Sequence, residues 1–179
     1  IHDYKMISVY ADVSGEIVIL SCGVDRKWGV TVETDVAQKL ATPYSVEELG
    51  DKLLLAFDNC YVREHDVRSR ITALEKVLGT RGYSKAVKTK KLVLVEWDID
   101  EGVSVIPTEK IPGRGYIHQM SMVKKLPLDC TKSSLAEAVI EALINQKYTI
   151  MMADQPVPSL DIINSHEGFG AAEISKEMK

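Results

Sequence analysis

The two halves of this chain carry nearly the same pattern of turns, apolar alternation and helix-start signals, and that constrains the fold more than any single motif. Residues 15–59 predict strand, turn, strand and then a helix opening at Ser45; residues 91–145 predict the same order, with the helix opening near Thr131 to Ser133. Trp28-Gly29-Val30-Thr31-Val32 aligns with Glu101-Gly102-Val103-Ser104-Val105. Ser45, Leu49, Leu53, Ala56, Phe57 and Asn59 align with Thr131, Leu135, Val139, Ala142, Leu143 and Asn145. The two matched blocks stand further apart in the second half, so an insertion separates its hairpin from its helix, and the stretch Glu109 to Ser121 holds it. Insertions on a repeated scaffold are where specificity is commonly added. Two copies fall short of the roughly three that a solenoid needs. The expectation is an α+β fold in a single domain, 1–179. Its halves, about 5–62 and 91–146, are each an antiparallel hairpin covered by an amphipathic helix, with a linking helix at about 66–79 and a tail at 153–179.

A chain of 179 residues buries roughly 70% of its unfolded surface, enough to fold without disulfide or metal. Cys22, Cys60 and Cys130 are odd in number and far apart, without a Cys-x-x-Cys pair, which fits a reducing compartment. His2, His65, His118 and His166 stand singly, none three or four residues from another His or a Cys, so neither a metal site nor a cofactor is expected. Apolar runs such as Leu92 to Val95 and Leu53 to Phe57 are far shorter than the ~20 residues that span a bilayer, so no membrane partner is expected. The chain begins at Ile1 rather than Met, which leaves room for a removed leader. A net charge of -4 argues against nucleic acid as a direct partner, since phosphate binding needs a concentrated excess of Lys and Arg; it suits a basic protein instead.

Lys5 to Val13 and Glu16 to Cys22 read as strands joined at Ser14-Gly15. A third strand spans Trp28 to Glu33, where alternation puts Trp28, Val30 and Val32 on the core face and Thr31 and Glu33 on the other. Ser45-Val46-Glu47-Glu48 is a capping box. Behind it Val46, Leu49, Leu53, Ala56, Phe57 and Cys60 mark the buried stripe of a helix, with Cys60 a small apolar residue rather than a nucleophile. Asp66 is the candidate cap of the linking helix, which turns Val67, Ile71, Leu74, Val77 and Leu78 inward and stops at Gly79. The Lys- and Arg-rich stretch Arg81 to Lys91 has only Tyr83 as an interleaved aromatic and reads as a solvated connector. Lys91 to Asp100 is a strand with Val93, Val95, Trp97 and Ile99 on one apolar face. Its other face begins with Leu92 and Leu94 and ends in Glu96 and Asp98, so burial on both sides is expected only at its start. Asp100-Glu101-Gly102 turns, Val103 to Pro107 returns, Lys124 to Leu128 adds an edge strand, and Tyr148 to Met152 a last one.

The sequence has no Gly-x-Ser-x-Gly elbow, His-Glu-x-x-His or P-loop. Gly113-Arg114-Gly115 could hold a phosphate and His118 could act as a base beside it, yet a lone Gly-x-Gly without strand-to-helix context reads as a turn. Asp98, Asp100 and Glu101 lack the ligand spacing of a calcium loop and also read as a turn. No catalytic set is therefore assembled by sequence. One reading left open is a small cytosolic enzyme with its site in the 109–121 loop, Arg114 binding an anion and His118 transferring a proton.

The order LVLVEWDIDEGVSVIPT, then GRGYIH, then LPLDCTKSSLAEAVIEAL resembles the contact-dependent growth inhibition immunity proteins of bacteria. In that family a strand ending in Trp-Asp leads into a short return strand with Pro-Thr, a Gly-Tyr segment and a Ser-led helix with a Glu-Ala-Leu pattern. The likeness covers about Lys91 to Asn145, with Trp28 and the Ser45 helix echoing it. Leu135-Ala136 departs from an expected Leu-Gly, which the first half carries at Leu49-Gly50. The resemblance implies a cytoplasmic antidote that binds the C-terminal toxin domain of a cognate effector, commonly a basic nuclease, in a one-to-one complex, and it supplies no catalytic residue. The expected toxin-binding surface lies on one side of the second half, joining Asp98, Asp100 and Glu101 to Glu109, Arg114, Tyr116 and His118 of the insertion. There Tyr116 would be a buried anchor, and the carboxylates would oppose a nuclease's phosphate-binding cations.

Overall fold

A computed structural model describes residues 2–65 and 68–146. In chain order it runs β1 (Tyr4–Asp12), β2 (Ile17–Asp25), β3 (Val30–Leu40), α1 (Val46–Asp58), α2 (Ala73–Leu78), α3 (Tyr83–Ala86), β4 (Lys90–Asp98), β5 (Gly102–Ile111), β6 (Gly115–His118), a 3₁₀ turn at Met120–Met122, β7 (Lys124–Leu126) and α4 (Lys132–Ile144). Every pairing is antiparallel, in the order β3-β2-β1-β4-β5, with the outer side of β5 taken by β7 near its start and by β6 near its end. The fold is thus α+β.

Period-two alternation sorts the strand residues into two cores. Ile7, Val9, Ile17, Ile19, Val93, Val95, Val103 and Val105 face α1 and α4. Tyr10, Val18, Leu20, Leu92, Leu94 and Ile106 face α2 and α3. The expected double burial at the start of β4 is therefore present. Ser45 caps α1 in the reciprocal arrangement with Glu48, and Leu49, Leu53, Ala56 and Phe57 are buried beneath it. Cys60 is buried as well, its thiol donating to the Met6 carbonyl. Gly50 is what lets α1 meet α4: a Cβ there would stand 2.8 Å from the Lys132 carbonyl oxygen. The far end of α4 is tied to β4, where Lys91 Nζ donates to the Leu143 carbonyl at 2.8 Å and Gln146 Nε2 to the Leu92 carbonyl at 2.7 Å, satisfying a carbonyl that the helix end leaves without an intrahelical partner.

Each half is a hairpin covered by a helix, β2-β3-α1 and β4-β5-α4. The two hairpins step away from β1 in opposite directions, while β2 and β4 run the same way and α1 and α4 share one face. No rotation superposes such halves. Their likeness is one of local pattern.

Four expectations are corrected. Trp28 and Val30 are not core: Asp25 Oδ1 accepts from the Lys27 and Trp28 N–H groups, so Trp28 sits in a turn to which strand alternation does not apply, and both side chains are exposed. The linking helix is Ala73–Leu78 only, capped by Thr72 and Glu75 and ended by Gly79; Ile71 is exposed, and Asp66 and Val67 lie outside the described residues. The connector 81–91 holds α3, whose Ala86 is buried. The insertion 109–121 is not an open loop, because β5 continues to Ile111 and β6 folds back on it. Pro107 is tolerated because its carbonyl accepts from Gln119 on the outer side, so its missing N–H falls in the gap between β7 and β6. The strand expected at Tyr148 to Met152 and the tail 153–179 lie outside the described residues.

Candidate interaction surface

The residues expected to form one surface are strung out along β5, from the turn before its start to the turn beyond its far end. Its ten residues span about 30 Å, with the acidic turn before Gly102 and the β5-β6 turn after Ile111. Asp98 closes the acidic turn by accepting from the Asp100 and Glu101 N–H groups at 2.9 and 3.1 Å; Asp100 is exposed, and Glu101 pairs with Lys125 at 3.0 Å. At the other end Arg114 is exposed in the turn and His118 is exposed where β6 ends, about 13 Å further along the strand. Glu109 accepts from Gln119 Nε2 at 2.8 Å. Tyr116 is no free anchor: it packs on the α2-α3 core, lies edge-on to Tyr10 at 6.2 Å and donates its hydroxyl to the Lys90 carbonyl at 2.8 Å.

The end of the sheet where β1 starts, at Tyr4, gathers a different set. There the β2-β3 turn carrying Trp28, the β4-β5 turn carrying Ile99 and the chain after α1 converge. Tyr61 donates its N–H to the Cys22 carbonyl and its hydroxyl to the Tyr4 carbonyl, His2 stacks on Tyr61 at 3.8 Å, and the Ile99 N–H reaches the Asp3 carbonyl. Trp28 is 69% exposed, with Lys27 Nζ 4.8 Å from its ring centre, and Val62 is equally exposed. The two turns are separated by three strand spacings, about 14 Å, well within one protein interface of about 800 Å² per partner.

The sheet face behind this end is polar. One cross-strand row runs Glu33, Cys22, Met6, Glu96, Ser104 and Lys125; the next toward the end runs Thr31, Val24, Tyr4 and Asp98. The cluster that α2 and α3 bury lies over the other half of this face. Glu33, Met6, Glu96, Tyr4 and Asp98 remain half-buried. Tyr10 donates to Glu33 Oε1 at 2.7 Å, and burial holds the Glu33 carboxyl above the usual carboxylate range despite that bond. Burial, with the Glu96 carboxylate beside it, raises the Tyr4 phenol likewise. Ser8, fully buried between the two halves of the face, lies near the Cys22 thiol and the Glu33 carboxyl without meeting hydrogen-bond geometry to either.

A cleft of about 170 Å³ between β3 and the chain at 63–76, lined by Glu33, Asp35, Arg63, His65, Ile71 and Lys76, falls below the ~300–1,000 Å³ of small-molecule sites. Among the described residues no three His, Cys, Asp or Glu side chains are placed to share a metal, and no helix is long and apolar enough to cross a membrane. Sequence reasoning missed Trp28 as a surface residue. It did separate Thr31, Glu33, Glu96 and Asp98 from the apolar faces, which was the available signal for the polar rows.

No protein-family model matches the chain, and no curated protein matches it. Among solved structures it is similar to a protein of unknown function from Neisseria meningitidis, with a TM-score of 0.62 at 14% identity over 80% of this chain and 96% of that one. At that identity the likeness is one of fold.

Proposed function

We propose that the protein is an antidote of the contact-dependent growth inhibition immunity type, which binds the C-terminal toxin domain of a cognate effector one-to-one and blocks it. The sequence resemblance over Lys91 to Asn145 supports the class. The structural observation that carries the binding reading is Trp28, a large aromatic fixed in solvent by the Asp25 turn instead of being buried. Tryptophan is among the side chains most enriched at the energetic centres of interfaces. The enzyme reading gains no such support, since Arg114 lies in the turn before β6 and His118 at its far end, about 13 Å apart along the strand. Co-expression with the toxin domain encoded beside the gene tests the proposal: a stable pair that protects cells from the toxin is expected, and free chains with no protection would refute it.

A further inference from the structure

We infer that the face formed by α2, α3 and the strand lysines beside them lies along the phosphate backbone of a nucleic-acid duplex, a role beyond the antidote reading and independent of it. The net charge of -4 is divided unevenly over the fold. From Arg68 to Lys88, the stretch that holds α2 and α3, six lysines and arginines stand against one acidic residue, Glu75, whose carboxylate is engaged by the Thr72 cap and the Gly82 N–H. On the other side of the sheet α1 and α4 carry the reverse balance, six carboxylates against Lys52 and Lys132. A net charge that speaks against nucleic acid for the chain as a whole therefore does not describe this face.

The cations form a band across the sheet. Lys39 of β3 lies opposite Val18, and its Nζ donates to the Val77 carbonyl of α2 at 3.1 Å; Lys110 of β5 donates to the Val87 and Lys88 carbonyls after α3. Those two strands stand four spacings apart, about 19 Å. The chain from Val77 to Lys88 bridges the interval, bringing Arg81, Lys85 and Lys88, and Arg114 follows in the turn beyond Lys110. Lys39, Arg81, Lys85, Lys88 and Arg114 are all exposed, and among the described residues none of them pairs with a carboxylate. Burial, with the Lys90 ammonium beside it, holds the Lys110 amine below the usual lysine range, a mark of like charge crowded together. At about 3.4 Å per phosphate, one strand of a duplex carries roughly five or six phosphates over that interval, which is too wide for one small anion. Between Thr72 and Asp98, Tyr83 is the single large apolar side chain exposed. A protein partner needs an apolar centre to its interface, and an unpaired strand needs several aromatic faces to stack on, so a duplex backbone is the polyanion this face fits.

Fluorescence anisotropy of the full chain with labelled duplexes of mixed sequence, DNA and RNA in separate arms, and with the unpaired DNA strand, tests this without the toxin. Saturable binding to a duplex is expected, tighter than to the strand, with log affinity falling against log salt at a slope of about -4 to -5 for about five phosphate contacts. Lys85→Gln/Lys88→Gln should reduce that slope by about 2 and weaken binding at low salt about tenfold or more, with an unchanged melting temperature. Lys124→Gln/Lys125→Gln, the same charge change on β7, where both amines are held by carboxylates, should leave affinity and slope as they are. No saturable duplex binding at low salt, tighter binding of the single strand, or equal weakening by both double variants would overturn the inference. Toxin binding separates the two readings. A chain that binds duplex and no toxin keeps this inference and loses the antidote, whereas one that pairs with the toxin and ignores duplex does the reverse.

Discussion

Trp28 and Glu33 show how a side chain's surroundings can depart from its chemistry. Alternation predicts a core Trp28 because Trp28, Val30 and Val32 share a parity, but the alternation begins only where the strand does. What fixes Trp28 outside is Asp25, whose carboxylate accepts from the Lys27 and Trp28 N–H groups, together with Gly29 at φ +65, and an Asp four residues before a Gly is a turn signal present in the sequence. Trp28→Ala should leave the melting temperature where it is and weaken toxin binding by about 2 kcal/mol or more, chiefly in the off-rate. Differential scanning calorimetry and surface plasmon resonance check the two halves of that statement; a large drop in melting temperature would return Trp28 to the core. Glu33 is half-buried, and desolvation of its carboxyl makes the folded state titrate above the unfolded one. A group of this sign stabilises the fold in its protonated form, and that contribution is lost as pH rises through the folded value. Glu33→Gln should therefore flatten the decline in stability above the ordinary carboxylate range and make the protein more stable than wild type at neutral pH, measurable by urea unfolding at a series of pH values.

At the scale of elements, the helices show which local signals survive tertiary context. The Ser45 capping box and the stripe behind it reappear intact, because cap and apolar face point to the same start. For the linking helix Asp66 was the wrong start. Thr72-Ala73-Leu74-Glu75 is itself a capping box directly ahead of Leu74 and Val77, and it wins. Thr72→Ala should cost about 1 kcal/mol, the usual loss for an N-cap, read as a shift in urea midpoint with unchanged slope. Tyr116 belongs to this scale as well. Its ring and hydroxyl pin β6 to β4 and the α2-α3 core, so Tyr116→Phe should loosen the hairpin, raising amide exchange at Gly115 to His118, while leaving binding at the Trp28 end untouched. Loss of toxin binding with normal exchange would mean that Tyr116 is a contact residue after all.

For the whole molecule, the main strands and the two covering helices of the halves are legible in the sequence, whereas β6, α3 and the relative placement of the halves are not. Turn residues, caps and alternation are local and leave their mark in sequence; the side of β1 on which a hairpin lands is decided by sheet pairing and by which face the helices must cover. The same limit explains the expected site. Asp98 to Glu101 lie before β5, whereas Glu109 is about 24 Å along it, Arg114 lies beyond its far end, and His118 folds back opposite Thr108, about 20 Å from Gly102. β5 runs four residues past Pro107, because the missing Pro107 N–H falls in the gap between β6 and β7.

The most direct measurement compares opposite ends of the sheet in a single assay: equilibrium and kinetic binding of the toxin domain by Trp28→Ala and by Arg114→Ala/His118→Ala, with both variants first shown to melt as wild type does. A partner seated at the Trp28 end predicts a loss of about thirtyfold or more for Trp28→Ala and no change for the double variant, the fold-change that about 2 kcal/mol corresponds to. Loss confined to Arg114→Ala/His118→Ala, with Trp28→Ala binding like wild type, would contradict it.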